Sequence, residues 1–177
     1  YIYGTTAGAV SSGYSAQASG HLLRAVKYPD TSNTGAVYTD IDSDSSDVVS
    51  YSYDTTGAVV RQKDQLTGVI ETTYDALGRP AHRRVTTLGT GLDGAVRRIT
   101  SAYLARGPLD TVTQYDNATV GSGSATDQVK FTYDGWGNMT AFDQDVDGLI
   151  GAGGRAAFGV QYAWDVLTPS GGASVLA

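Results

Sequence analysis

Hydrophobic and polar positions alternate over several short stretches of this chain, most clearly between residues 48 and 116. In 48–53, Val49, Tyr51 and Tyr53 fall on one face and Val48, Ser50 and Ser52 on the other. That is the period of two of a β-strand. Asp54-Thr55-Thr56-Gly57 comes next, with Asp first and Gly fourth, the favoured residues of a type I turn. The Asp side chain can accept a hydrogen bond from the backbone two residues on, and Gly tolerates the positive φ that closes such a hairpin. Residues 58–65 read as the returning strand, 66–68 as a turn, 69–74 as the next strand and 75–78 as the same turn again. Further strands are expected over 79–88, 95–103 and 108–116, with a Gly-rich turn at 89–94 and another turn at 104–107. No segment carries apolar residues at helical spacing long enough to predict a helix. The fold class expected is all-β, built from antiparallel hairpins.

Three strings share one pattern, Tyr-Asp-x-x-Gly. They are Tyr53-Asp54-Thr55-Thr56-Gly57, Tyr74-Asp75-Ala76-Leu77-Gly78 and Tyr133-Asp134-Gly135-Trp136-Gly137, and each comes after a β-prone run. The first two begin 21 residues apart (53 to 74) and the third 59 residues later (74 to 133), close to three such periods. A fixed period is the signature of a repeat architecture, a strand–turn–strand unit stacked on copies of itself. Residues 1–177 are therefore expected to form one repeat region, with loop insertions near 11–21, 29–47, 117–127 and 147–154. Its stability should come from repeat-to-repeat burial of Val, Ile, Leu and Tyr faces.

Composition narrows the function classes. The chain has 23 Gly and 12 Tyr against 3 Phe and 1 Met, a bias toward strands and tight turns. Its length suffices for one domain with a core. A net charge of −6 argues against a nucleic-acid partner, which needs a basic face. With no Cys, the sequence offers no disulfide framework, Cys-ligated zinc or thiol catalysis. No stretch approaches the roughly 20 apolar residues of a membrane-spanning helix. Lacking an initiator Met and any terminator character, the sequence reads as an interior piece of a longer chain.

At its three motifs the sequence resembles the Rhs, or YD-repeat, family. Supporting strings are Tyr74-Asp75-Ala76-Leu77-Gly78-Arg79-Pro80 and Val26-Lys27-Tyr28-Pro29-Asp30, with Val112-Thr113-Gln114-Tyr115-Asp116 and Tyr1-Ile2-Tyr3-Gly4 as degenerate copies. The resemblance implies an antiparallel sheet coiling into a spiral β-shell, often around a toxic C-terminal domain in bacterial toxins, or serving as an adhesion scaffold. The sequence departs from the family pattern where Tyr3 is followed by Gly4 and Asp116 by Asn-Ala-Thr. None of the four prolines comes directly after an Asp, so the Asp-Pro pair of a family cleavage segment is absent.

Several other groupings invite a chemical reading. Asp143, Asp145, Asp147 and Gly148 match the first half of a calcium loop, in which alternating carboxylates converge on a hard cation. The position of the bidentate Glu is Gly154, and a solvated acidic loop is the plainer account. Asp40, Asp42, Asp44 and Asp47 have similar spacing without the Gly. Gly89-Thr90-Gly91-Leu92-Asp93-Gly94 spells a dinucleotide fingerprint, but residues 95–103 carry a strand pattern and not the helix such a site requires. His21 and His82 are the two histidines, and neither has a nucleophile near it in sequence. Arg79, Arg83, Arg84, Arg97 and Arg98 would form a basic stripe if their two strands pair, facing carboxylates of a neighbouring repeat or a phosphate. Trp136, expected in a turn, and Trp164, expected in a late strand, could offer rings to sugars, although tyrosine packing is the commoner use of such positions. Asn117-Ala118-Thr119 and Asn138-Met139-Thr140 fit a glycosylation acceptor.

The function expected is a non-catalytic wall of a β-shell that encloses or displays another domain, secreted or at the cell surface. Its partners would be neighbouring repeats, an enclosed C-terminal toxin domain, or further copies through self-assembly. No cofactor is required, calcium aside. The alternatives are an adhesin or filament scaffold assembling through strand edges, and a glycan-active enzyme with paired carboxylates.

Overall fold

A computed structural model describes residues 1–28, 48–151 and 158–164. Among these, eleven antiparallel strands form one sheet in sequence order: β1 Ile2–Thr5, β2 Ser19–Lys27, β3 Val48–Tyr53, β4 Val59–Lys63, β5 Val69–Tyr74, β6 Pro80–Thr87, β7 Arg98–Tyr103, β8 Leu109–Tyr115, β9 Ala125–Tyr133, β10 Met139–Asp145 and β11 Phe158–Gln161. Strands β1 and β11 are its two edges, and the sheet is not closed into a barrel. One 3-10 turn, Val10–Ser12, is the helical element among the described residues. No helix there is long and apolar enough to cross a membrane.

β3 and β5 have the boundaries that alternation predicts, and differences elsewhere have local causes. Asp64, expected inside a strand, opens a turn because its Oδ1 accepts the amides of Leu66 at 2.9 Å and Gly68 at 2.7 Å. β7 starts at Arg98 instead of 95, since Asp93 Oδ1 captures the Ala95 amide at 2.9 Å. Such side-chain bonds compete directly with the ladder. Pro80 opens β6, where a missing N–H is tolerated.

Register gives the sheet two unlike faces. On one, Ile70 lies opposite Val85, Val112 opposite Val129, and Phe131, Phe142 and Val160 form a row. The two Phe rings are 5.7 Å apart at 59°. On the other, Arg61, Glu71, Arg84 and Arg98 run across four strands, and Thr111, Lys130 and Asp143 across three.

The sheet is a single layer. Packing runs between neighbouring strands, and among the described residues the buried hydrophobics are Ala25, Val48, Tyr53 and Val69. Among the described residues no second layer covers the apolar face, and its Val, Ile and Phe rows there are half-buried or exposed.

The best-sealed region is one expected to be a loop insertion. Residues 7–16 fold back onto β3, so that Ser52 Oγ donates to Gly13 O at 3.0 Å, Tyr53 N to Ser15 Oγ at 3.2 Å and Ala16 N to Tyr53 O at 2.7 Å. The serine face of β3 is thus the buried one, and Val49 and Tyr51 are half-buried. Small hydroxyls permit the close approach and satisfy the groups it buries. The expected loop at 117–127 ends at Ser124, where β9 takes over, and 147–154 is described to residue 151. The expected loop at 29–47 lies outside the described residues.

Candidate functional site

The recurring feature of the molecule is one end of the sheet. Hairpins β3–β4, β5–β6, β7–β8 and β9–β10 all turn there, with the same backbone bonds. The residue after the Tyr pairs its N–H with the carbonyl four residues on: Asp54 to Ala58, Asp75 to Arg79, Leu104 to Pro108 and Asp134 to Asn138, each at 2.9 Å. The glycine in each turn lies in the left-handed region, with φ of 88° at Gly57, 76° at Gly78, 111° at Gly107 and 91° at Gly137. Three of the four carry the carboxylate. Asp54 Oδ1 accepts the amides of Thr56 (2.8 Å) and Ala58 (3.0 Å). Asp75 Oδ1 takes Leu77 and Arg79, and Asp134 Oδ1 takes Trp136 and Asn138, all at 2.9 Å.

The tyrosine of each motif reaches across its neighbour. Tyr74, Tyr103 and Tyr133 donate their hydroxyls to the carbonyls of Val59 (2.8 Å), Pro80 (2.9 Å) and Leu109 (2.9 Å), in each case the first residue of the preceding strand. Tyr53 also donates its hydroxyl to the preceding strand, but to a residue in the middle of β2, Leu23 O at 2.6 Å. After β11, Trp164 Nε1 donates to Met139 O at 2.8 Å, the first residue of β10. Trp164 thus occupies a tyrosine's place just beyond a strand, not within one as expected. Residue 165, next in the chain, is Asp.

These contacts correct the repeat count. Sequence reasoning missed the copy at Tyr103-Leu104-Ala105-Arg106-Gly107 because Leu stands where Asp was sought; Tyr103 before a Gly four residues on was the available signal. The 59 residues between the second and third motifs therefore hold two units of 29 (74 to 103) and 30 (103 to 133), not three. Periods differ because the opposite end of the sheet carries loops of different length, 64–68, 88–97 and 116–124. Tyr115-Asp116 lies at that opposite end and is not a copy. Asp116 Oδ1 takes the Ser124 amide at 2.8 Å, closing a long loop, and Tyr115 packs under Arg98. Tyr28 also comes after its strand at the far end, with Pro29 and Asp30 outside the described residues.

Each clamp tyrosine sits at a bulge. Ser52 pairs with Arg61 but Tyr53 with Val59; the same skip leaves Ala81, Asp110 and Thr140 unpaired opposite Tyr74, Tyr103 and Tyr133. An extra residue bends the strand, raises its twist and re-aims nearby side chains.

The turn carboxylates titrate low. Asp75 is held below the ordinary 3.8 first by the Arg79 side chain, with Nε at 2.7 Å and Nη2 at 2.6 Å, then by backbone amides. Asp134 is lowered first by the Asn138 amide at 3.0 Å. At Asp54 burial pushes upward, but the Thr56 hydroxyl and the turn amides outweigh it and the result is a lowering. A carboxylate lowered by folding adds stability that is complete above its unfolded value and is lost as pH falls through its folded value. Urea midpoints should therefore hold down to about pH 4 and drop below it. Replacing Asp54, Asp75 and Asp134 together by Asn, which keeps an acceptor, should flatten that acid slope; an unchanged slope would place the acid-sensitive groups elsewhere.

The turn at 64–68 uses the same Asp chemistry at the opposite end, but Thr67 occupies its left-handed position with φ 65°. A β-branched residue is strained there. Thr67→Gly should raise stability by about 0.5–1 kcal/mol, measured by urea unfolding.

Other candidates separate on inspection of their surroundings. Asp143 and Asp145 lie along β10, and Asp145 Oδ1 accepts the Asp147 amide at 3.0 Å. Among the described residues no three His, Asp or Glu side chains gather as metal ligands. An extended strand spreads alternate carboxylates roughly 7 Å apart, where a loop would converge them. Residues 152–157, which complete that spacing, and Asp40 to Asp47 lie outside the described residues. Gly89 to Gly94 form a loop into β7 with no helix.

The two arginine strands do pair, but most of the stripe is engaged: Arg79 with Asp75, Arg84 with Glu71 at 2.8 Å, and Arg97 with the carbonyl of Val85. Arg83 is exposed on the apolar face, opposite Ile99. Trp136 is 92 % exposed at the wall of a cleft of about 490 Å³ between two motif turns, lined also by Leu104, Arg106, Pro108 and Tyr133.

No family model matches the chain, and no curated protein does. Among solved structures it is similar to the crystal structure of TcdB2-TccC3-TEV, with 17% identity and a TM-score of 0.32 over 66% of this chain. The alignment spans 6% of the length of that chain.

Proposed function

We propose that this chain is a non-catalytic wall segment of a β-shell of the Rhs type, enclosing or displaying another domain. The observation that carries this reading is the repeated bulge and aromatic clamp at one end of four successive hairpins. A bulge bends a sheet locally. Four at corresponding positions bend it in the same sense, which is how a meander coils. The single layer with unlike faces supports the same reading, since a wall has an inside and an outside. The pinned turns supply rigidity without a core, and no step of this role requires a cofactor.

The natural partners are adjoining repeats, because β1 and β11 are the sheet edges among the described residues and the backbone groups of an edge strand are templates for a further strand. An enclosed C-terminal toxin domain is the cargo, and the location is secreted or at the cell surface. The open edges also favour a second reading, an adhesin or filament scaffold that adds strands between copies.

Electron cryomicroscopy of the full-length protein containing this chain separates the two. A hollow wall with the motif turns along one rim is the expected result. Strands stacked along a fibre axis would select the scaffold. A second sheet from the same protein packed flat on the apolar face would overturn both.

A further inference from the structure

Arg98 is 3 % exposed, yet no carboxylate pairs with it among the described residues. Its terminal nitrogens donate to the carbonyls of Asn117 (2.8 Å), Thr119 and Ser122 (3.0 Å), and its guanidinium carbon lies 4.0 Å from the centre of the Tyr115 ring. Its Nε has no hydrogen-bond partner. Directly across the ladder stands Arg84, of like charge, whose own partner is Glu71. Carbonyl dipoles and a ring face offset part of the cost of burying a cation, but a buried charge without a counter-ion remains expensive.

The same Arg98 lines an open-mouthed cavity of about 240 Å³ with His82, Thr100, Tyr115 and residues 120–123. His82 Nδ1 is 3.1 Å from Thr100 Oγ1. Gly121 and Gly123, at φ 82° and 84°, shape the loop around it with no side chain to fill the space.

We propose that this cavity binds a small oxyanion, a carboxylate or a sulfate- or phosphate-type group, between Arg98, His82 and the 120–123 loop. An anion there supplies the missing counter-charge to Arg98, and Thr100 and Ser122 line the same space. Free oxyanions and carboxylates of a protein partner share this chemistry. The site is independent of the shell reading, since it needs only the β6–β8 ladder and its loop.

His82 reports on it. The groups around it are Glu71 and Thr73 on β5, Arg84 on its own strand, Arg98 and Thr100 on β7, Tyr115 on β8 and Asp116 at the start of the loop. Burial, then the charges of Arg98 and Arg84, hold His82 below the ordinary 6.5. A bound anion opposes those two charges and favours the protonated ring.

The experiment tracks the ring signals of His82 by NMR from pH 4 to 8 in this chain at constant ionic strength. Sodium chloride is the background, and inorganic sulfate or formate the probe. The expected result is a rise of about one pH unit in the His82 midpoint with at least one probe, while His21 stays fixed. Sulfate alone would assign a tetrahedral anion, and formate alone a carboxylate. In His82→Gln the apparent affinity for the effective probe, read from thermal stabilisation, should weaken about tenfold. No movement of His82 with either probe, or an unchanged affinity in His82→Gln, would overturn the assignment.

Discussion

Tyr53→Ala is expected to lower stability by about 3–5 kcal/mol, the cost of emptying a buried aromatic site. Tyr53 is 7 % exposed and is the one large aromatic among the buried hydrophobics of the described residues. It joins three parts of the N-terminal half. Its hydroxyl ties β3 to Leu23 on β2, its amide holds Ser15 and its carbonyl holds Ala16. Among the described residues no second layer compensates for the loss of that plug. Tyr53→Phe keeps the ring and loses one hydrogen bond, so it should cost about 1 kcal/mol. The pair of urea midpoints, read by circular dichroism, checks the claim: equal losses would mean that the hydroxyl alone matters, and a loss under about 1 kcal/mol for Ala would mean that the site collapses freely.

Arg98→Met should rank close behind, costing about 2–4 kcal/mol because three charge-assisted bonds to loop carbonyls go together. The methionine has the length to fill the space over Tyr115 but donates nothing. Local consequences should exceed global ones: the segment 117–124 should become the first site of limited proteolysis, while the motif turns at the other end stay protected. Arg98→Lys should recover only part of the loss, since an ammonium lacks the planar fork that meets several carbonyls at once. An uncut loop in Arg98→Met would show that Asp116 and Asn117, through their bonds to Ser124 and Thr119, hold it unaided.

Local chemistry made much of this fold legible. Asp54, Asp75 and Asp134 act on amides two and four residues away, so the string Asp-x-x-Gly carries its whole mechanism within one turn. Alternation likewise marked β3 and β5 to the residue. The arithmetic of the repeat failed because the length of a unit includes a loop at the other end of the sheet, which neither the turn nor the clamp constrains. Tyr115 and Tyr103 show the limit at a single residue. The first precedes an Asp and is no clamp; the second precedes Leu104 and is one. What makes a clamp is being at the end of a strand that terminates on the motif side, and sequence neighbours do not encode that.

By itself, then, the sequence determined strands, the turn chemistry and the all-β class, because each depends on a residue and its near neighbours. Tertiary structure alone decided that β3 buries its serines, that the apolar rows have no covering layer among the described residues, that every clamp tyrosine sits on a bulge, and that Arg98 is a buried cation lining a cavity with His82. All four depend on cross-strand register, where a shift of one residue exchanges the two faces of a sheet. Register is fixed by pairings between distant residues, and no local pattern in the chain specifies them.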